Sequence, residues 1–573
     1  MAKIARYPVL DFSGGIRRDK GPFEIQKNEL LDARNVFLDE RGRITTRRGS
    51  QQIGQTLTGT LENSYFFQRA ASIPAYSFLL NNTAGTVWRL VGGQLVQDIT
   101  TATTTFDVAG SVGFAAGGGI VEIGGDLITY GSFAGSTFST VSGITSSHSA
   151  GAPVHQWASV TTGLAGGRGI TYATLGNAVF FGGSVGNTPT FVYINNDDAV
   201  TVSTVSGEPS GLFITNYRDR LYSAGESSPQ NRTFFSARGD GTSWTTSTDY
   251  FDVNDKNGEP ITGYRVLNDR LGIFKANSTF TYDEIELKQR SASVGAYNNK
   301  VPQEIDGLIY TFCPSGIYKT NLAEAKQIGD PVREYWENFT PVYDSSTTTV
   351  GRVVTNTFAG TFLHYYLLYI HDITSPTTTN DVVLAYDTLN NNWTVHPGTF
   401  TDFFFLNGHN SFAFGSIGTQ DEEPPETIPS LWGGGSNSRM YRLFETKHSN
   451  RSHARAGGDL FYDLFSDTGT PISASVEFPA YDLTYPELFK TFKFLRVLSE
   501  RGVWSWEYRI EDESGKLSSY RPLGVTSRPH QILPFPKEAQ GYRCGLRASS
   551  VNTASTSILN GFVFEDTEVN PRT

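Results

Sequence analysis

The chain has 573 residues, too many for one core, and its length fits three or four domains. Aromatic residues make up 13%, charged residues only 18%, with 59 glycines and 2 methionines, a balance that favours strands and turns over helices. A net charge of −11 removes the global basic field that gives nonspecific nucleic-acid affinity, and no apolar run reaches the ~18 residues of a membrane span. The opening MAKIARYPVLDFSGG lacks a signal-peptide core, so the expectation is a soluble chain made in a cytoplasm.

Residues 1–50 read as an arm rather than part of a repeat. Pro8 to Phe12 form a short apolar strand, and Ser13, Gly14 and Gly15 a break. Leu30, Leu31 and Ala33 sit near helical spacing over 25–35, with Asn28 a candidate cap. Residues 36–46 form a hairpin turning at Gly42. Arg17, Arg18, Lys20, Arg41, Arg43, Arg47 and Arg48 are the densest basic region of an acidic chain. Mixed arginine and aromatic content is enriched at interfaces, so Phe12, Arg17, Arg18, Phe23, Arg47 and Arg48 are the candidate protein-docking residues, against a solvated arm as the plainer reading.

Beyond 50, hairpins recur. The clearest is NDVVLAYDTLNNNWTVHP (380–397), where alternation at period 2 stops at Leu389, Asn390, Asn391 and Asn392 and restarts at Trp393. Similar units are VWRL, Gly92, Gly93, QLVQD; TFFSA, Gly239, Asp240, Gly241; TFTYDEIEL; and GIYKTNLAEAKQI. Each follows another apolar pair, which makes a unit of about four strands, the pattern of a β-propeller. Blades are expected over 65–97, 169–205, 211–252, 259–289, 301–328, 350–397 and 399–444: seven, with six or eight open. The propeller thus spans 51–98 and 165–447.

The FSGG strand, PFEIQKNELLDARNVFLDERGRITTRRGS, and then NRTFFSARGDGTSW, GLIYTFCPSGIYKTN and VVLAYDTLNNNWTVH together resemble the tail nozzle (tail tubular) proteins of short-tailed bacteriophages, over 8–50 and most of 165–450. The resemblance implies a propeller protomer in a ring, commonly hexameric, at the distal end of a virion tail. Its partners would be adaptor or portal-proximal tail proteins and tail fibres. Double-stranded DNA would pass through without specific binding, and contact with the host surface is open.

Residues 99–160 break the rhythm with Thr, Ser and Gly, yet Ile120 to Tyr130 alternate, so a small β module inserted at a blade loop is expected rather than a linker. The acidic 420–429 loop and the 448–458 segment read as solvated excursion and interdomain linker. From 455 to 573 about seven longer alternating strands imply a β-sandwich.

Chemistry-bearing constellations are weak. SARGDGTSW (236–244) is close to the Asp-box turn of sialidase blades but does not keep its spacing. His448 and His453 have no acidic partner at metal spacing, and Gly117, Gly118, Gly119 and Gly433, Gly434, Gly435 lack a following helix and Lys-Ser/Thr, so they read as turns. Asp421, Glu422, Glu423 and Glu426 read as a solubilising run. Cys313 and Cys544 read as buried thiols. No catalytic, cofactor-binding or metal residue is assigned. The function expected is a non-enzymatic structural virion protein, with a tail adhesin that binds or cleaves host-surface glycan as the alternative.

Overall fold

The computed structural model describes residues 2–570 apart from short gaps and the longer stretches 69–75, 163–170, 195–201, 344–353, 372–380, 407–429 and 444–465. Four-stranded antiparallel sheets follow one another along the chain, and their first strands are Leu61–Gln68, Thr171–Leu175, Phe213–Tyr217, Ile261–Leu267, Gln303–Ile305, Thr357–Phe362 and Phe400–Leu406. Each first strand lies against the next, and Phe400–Leu406 closes back on Leu61–Gln68. A closed ring of inner strands is a β-propeller, and it has seven blades.

Local sequence sets the blades. The inner hairpin turns on two residues with positive φ: Arg218 and Asp219 (47°, 58°), Asn268 and Asp269 (49°, 54°), Asp306 and Gly307 (51°, 75°). The flanking residues pair directly, Tyr217 with Arg220, Leu267 with Arg270, Ile305 with Leu308. Such mirror-image turns match the strand twist, and Asn, Asp and Gly tolerate the left-handed region best. The 380–397 hairpin forms as read, with Asp387 opposite Asn392 and Asn391 at φ 54°. The Asp387 carboxylate accepts the Leu389 and Asn390 amides at 2.9 and 3.0 Å, which starts the turn. Val382–Asp387 is buried on both faces, because this sixth blade is packed between neighbours.

The seventh blade takes its fourth strand from the other end of the chain: Gln51–Ile53 pairs with Met440–Leu443 and so staples the ring shut. Gly433, Gly434 and Gly435 are not a turn but lie in the strand Ser430–Gly435 of that blade. In the first blade, Pro153–Thr161 pairs with Val87–Leu95 as the fourth strand. The inserted module therefore lies inside the first blade, between its third and fourth strands, rather than after it, and the expected 99–160 span includes a blade strand. The module's core of Phe106, Phe114, Val121, Ile128, Tyr130 and Phe138 is continuous with Val91, Leu95 and Val154 of the flanking blade strands.

Residues 1–50 are not a separate arm. Ala2–Val9 runs antiparallel to Ile558–Asn570, Ile44–Thr46 pairs with the start of the same strand, and Asp32–Arg34 pairs with Thr470–Tyr481. The expected helix over 25–35 is instead the strands Glu29–Leu30 and Asp32–Arg34, because pairing to both neighbours outweighs a weak helical spacing. One helical turn, Arg333–Trp336, occurs where none was read. The N-terminal strands complete a sandwich with 466–570, so the propeller is inserted between two halves of the sandwich. Asp32–Arg34 also bridges in parallel to the sixth blade at Val395, making one sheet from Thr357–Phe362 to Arg521–Thr526. A single core joins Phe312 and Ile317 of the fifth blade, Tyr366 and Trp393 of the sixth, and Phe478, Trp504, Trp506 and Phe562 of the sandwich. The boundary expected near 455 falls outside the described residues.

Candidate protein interface

Of the six residues singled out for docking, the five that the structure describes do not share a surface. Phe12 is wholly buried, its ring 5.3 Å from Phe478 and 6.1 Å from Phe562, in the middle of the sandwich core. Arg47 is buried and donates to Asn35 Oδ1 at 2.7 Å. Arg17 folds onto Asp19 at 2.8 Å. Arg48 lies outside the described residues. Phe23 stays partly exposed, with the Arg543 guanidinium 4.6 Å from its ring centre.

Arg18 is the centre of what the segment builds. Its backbone amide donates to Pro331 O, its Nη1 to Glu334 at 2.7 Å, and its Nη2 lies 3.0 Å from Asp32, which also holds Arg34 at 2.8 Å. Arg18 stacks over Tyr335 at 5.1 Å. Burial pulls the Arg18 guanidinium down, but Tyr335, Asp32 and Glu334 outweigh it and hold the group above its ordinary value. Burial pushes the Tyr335 phenol up to about 12. The basic N-terminal segment thus meets acidic partners in its own chain, at the seam between propeller and sandwich. Asn392 of the 380–397 hairpin joins the seam by donating to Ser13 O at 2.9 Å, and Trp393 Nε1 donates to Ile328 O at 2.9 Å. Runs of like charge are usually read as outward-facing, which is why sequence reasoning missed this inward pairing; Asp32, inside the same segment, was the available signal.

Among the described residues, no three His, Cys, Asp or Glu side chains are placed to hold a metal ion, and no helix is long and apolar enough to cross a membrane. Cys313 and Cys544 are free and buried, and burial pushes the Cys544 thiol up. In 236–244, Gly239 takes φ 75° and Asp240 accepts from Thr242 N and Oγ1 at 2.8 and 2.6 Å. Trp244 Nε1 closes on Gly241 O, so the motif is a self-satisfied turn between strands. His371 Nδ1 pairs with the buried Asp381, which also accepts the Tyr369 hydroxyl at 2.9 Å. Among the described residues no hydroxyl or thiol bonds the other ring nitrogen of His371. His448, His453 and the 421–426 carboxylates lie outside the described residues.

A different cluster joins the third and fourth blades at their turns. Arg218 forks onto Asp269, with Nε to Oδ1 at 2.9 Å, and its Nη1 donates to Asp283 O at 2.7 Å. Arg238 binds Glu284 at 2.7 Å, while Arg218 and Arg220 approach the same carboxylate at 3.7 Å. Next to this cluster stands Ile285, 92% exposed.

No protein-family profile matches the chain, and no curated protein matches it. Among solved structures, Sqt1 of Saccharomyces cerevisiae is similar at 10% identity and a TM-score of 0.33, over 70% of this chain and all of that one. The WD40 domain of Pan2 from Neurospora crassa is similar at 8% identity and a TM-score of 0.34, over 70% of this chain and 97% of that one. The propeller assignment rests on the closed ring of inner strands described above.

Proposed function

We propose that the chain is a non-enzymatic structural protomer of a bacteriophage tail, one of several copies in a ring, hexameric by resemblance to tail nozzle proteins, through which the genome leaves the virion. The observation that carries this reading is the insertion of the propeller into the sandwich, with one sheet and one core running through both. A shared core resists hinge motion between domains, as the wall of a conduit requires and a flexible binding module does not. Charge supports the conduit: six copies carry −66 (6 × −11), and phosphate contacts that would hold DNA back are disfavoured by such a wall. Its partners would be adaptor and fibre proteins, and its location the tail.

The test is the native mass of the purified full chain together with duplex-DNA gel shift at physiological salt. A closed ring with no retarded band is the expected result. A monomer at every concentration refutes the ring, and retardation at moderate salt refutes a wall that lets DNA slip.

A further inference from the structure

Arg265 stands on Ile261–Leu267, the innermost strand of the fourth blade and one of the seven that border the central channel of the propeller. Alternation along the strand sends neighbouring side chains to opposite faces. Tyr264 packs toward the third blade, where its hydroxyl donates to Thr233 Oγ1 at 3.0 Å. Leu267, on the same face as Arg265, packs with Ile309 and Leu322 of the fifth blade. On that face Gly263 leaves room for Asn299, which a β-carbon there would approach to 2.6 Å, and Gly272, directly across from Arg265, adds no side chain.

The guanidinium is walled in but not paired. Among the described residues it makes one hydrogen bond, Nη1 to Tyr264 O at 3.1 Å, and no carboxylate lies within ion-pair distance. The Tyr366 phenol is the one titratable group that bears on it. That phenol donates to Val301 O at 3.2 Å and is itself pushed well up by burial, so it supplies no negative charge at neutral pH. Burial pulls Arg265 down to about 10, which still leaves it charged at neutral pH. Confining a charge without a counter-charge costs stability, and packing alone would be served better by an aliphatic side chain. Arg265 is only half-buried, however, and its Nε and Nη2, which bond nothing in the chain, reach solvent. A fixed positive charge with most of its five donors unused fits an anion that brings two oxygens to the fork. We propose that Arg265 anchors a binding site for a small oxyanion, a carboxylate or a phosphate, where the fourth and fifth blades meet beside the central channel. The site does not depend on the ring reading above.

The experiment titrates the full chain with inorganic phosphate and with acetate by calorimetry, in chloride at constant ionic strength, and repeats both with Arg265→Met and Arg265→Lys. Wild type should take up one anion per chain. Arg265→Met should weaken uptake tenfold or more, the loss expected from a charged hydrogen bond, and Arg265→Lys, which keeps the charge without the fork, should fall between the two. Uptake of phosphate alone identifies a phosphate site, and of acetate alone a carboxylate site. Labelling of the unaltered protein with phenylglyoxal needs no variant to fold: saturating anion should slow modification of Arg265 several-fold, read by peptide mass, while the exposed Arg521 reacts at an unchanged rate. Failure of wild type to bind either anion overturns the site. Equal binding by Arg265→Met, or labelling of Arg265 that the anion does not slow, overturns it as well.

Discussion

Replacing Phe12 by alanine separates two accounts of the N-terminal segment. If 1–50 were a docking arm, the substitution would leave the isolated protein's stability untouched and act only on a partner. The structure places the ring with no exposed surface between Phe478 and Phe562, and Phe562 in turn lies 5.7 Å from Trp506. Truncating a fully buried phenylalanine costs about 3–5 kcal/mol, made of lost transfer free energy and the cavity left behind. The upper half of that range applies here, because the surrounding rings are themselves locked in an aromatic cluster and collapse poorly into the void. Urea unfolding followed by tryptophan fluorescence reports it directly, since Trp393, Trp504 and Trp506 belong to the same core. The expected result is a lower midpoint of the transition that these three tryptophans report. A stability change below about 0.5 kcal/mol, the range of ordinary surface substitutions, would mean that Phe12 does not fill this core.

Arg18→Glu sets a carboxylate against Asp32 and Glu334 and should destabilise the protomer by ~3 kcal/mol, read in the same unfolding assay; an unchanged midpoint would refute the seam. Asp126, lowered to about 2 because bonds from Thr145, Ser146 and His148 outweigh its burial, stabilises the inserted module. Its folded value lies below the ordinary carboxylate value of about 3.9, so its contribution of about 2 kcal/mol is present above pH ~4 and lost as pH falls toward 2. Asp126→Asn should remove that part of the module's acid sensitivity, measured by proteolysis of the module against pH. Replacing 97–151 by a short Gly-Ser loop should leave the propeller's melting transition in place, whereas replacing 101–158 strips most of Pro153–Thr161 from the first blade and should lower it. Equal melting of the two deletions would show that this strand adds nothing to the blade.

The propeller was legible because each blade carries its own instructions. Alternation at period 2 over 382–387, a turn at Asn391, and two buried residues restarting at Trp393 and Val395 are all local, and local rules suffice where a strand pairs with its neighbour in sequence. The inner turns, YRDRL at 217–221 and LNDRL at 267–271, were an unused second copy of the same signal, with Arg at the first position after each turn. What the sequence hid is every pairing between distant segments. Nothing in AKIARYPV says that its partner is 558–570, and nothing in QQI says that it closes the seventh blade. The 25–35 segment was misread for the same reason: Asp32–Arg34 is a strand only because strands from residues 395 and 475 arrive on either side of it.

Those distant pairings also decide what the candidate interface can be. A basic cluster read as a free arm would be available to an outside partner, but Asp32–Arg34 of the same segment lies between the sixth blade and the sandwich, and Arg18 is occupied by Asp32 and Glu334. With the propeller inserted into the sandwich, Arg18 joins Asp32 of the sandwich sheet to Glu334, which follows the fifth blade, across the seam. Among the described residues, exposed apolar side chains stand on blade turns, as at Ile285 and Leu389, and on the sandwich, as at Val525 and Val551.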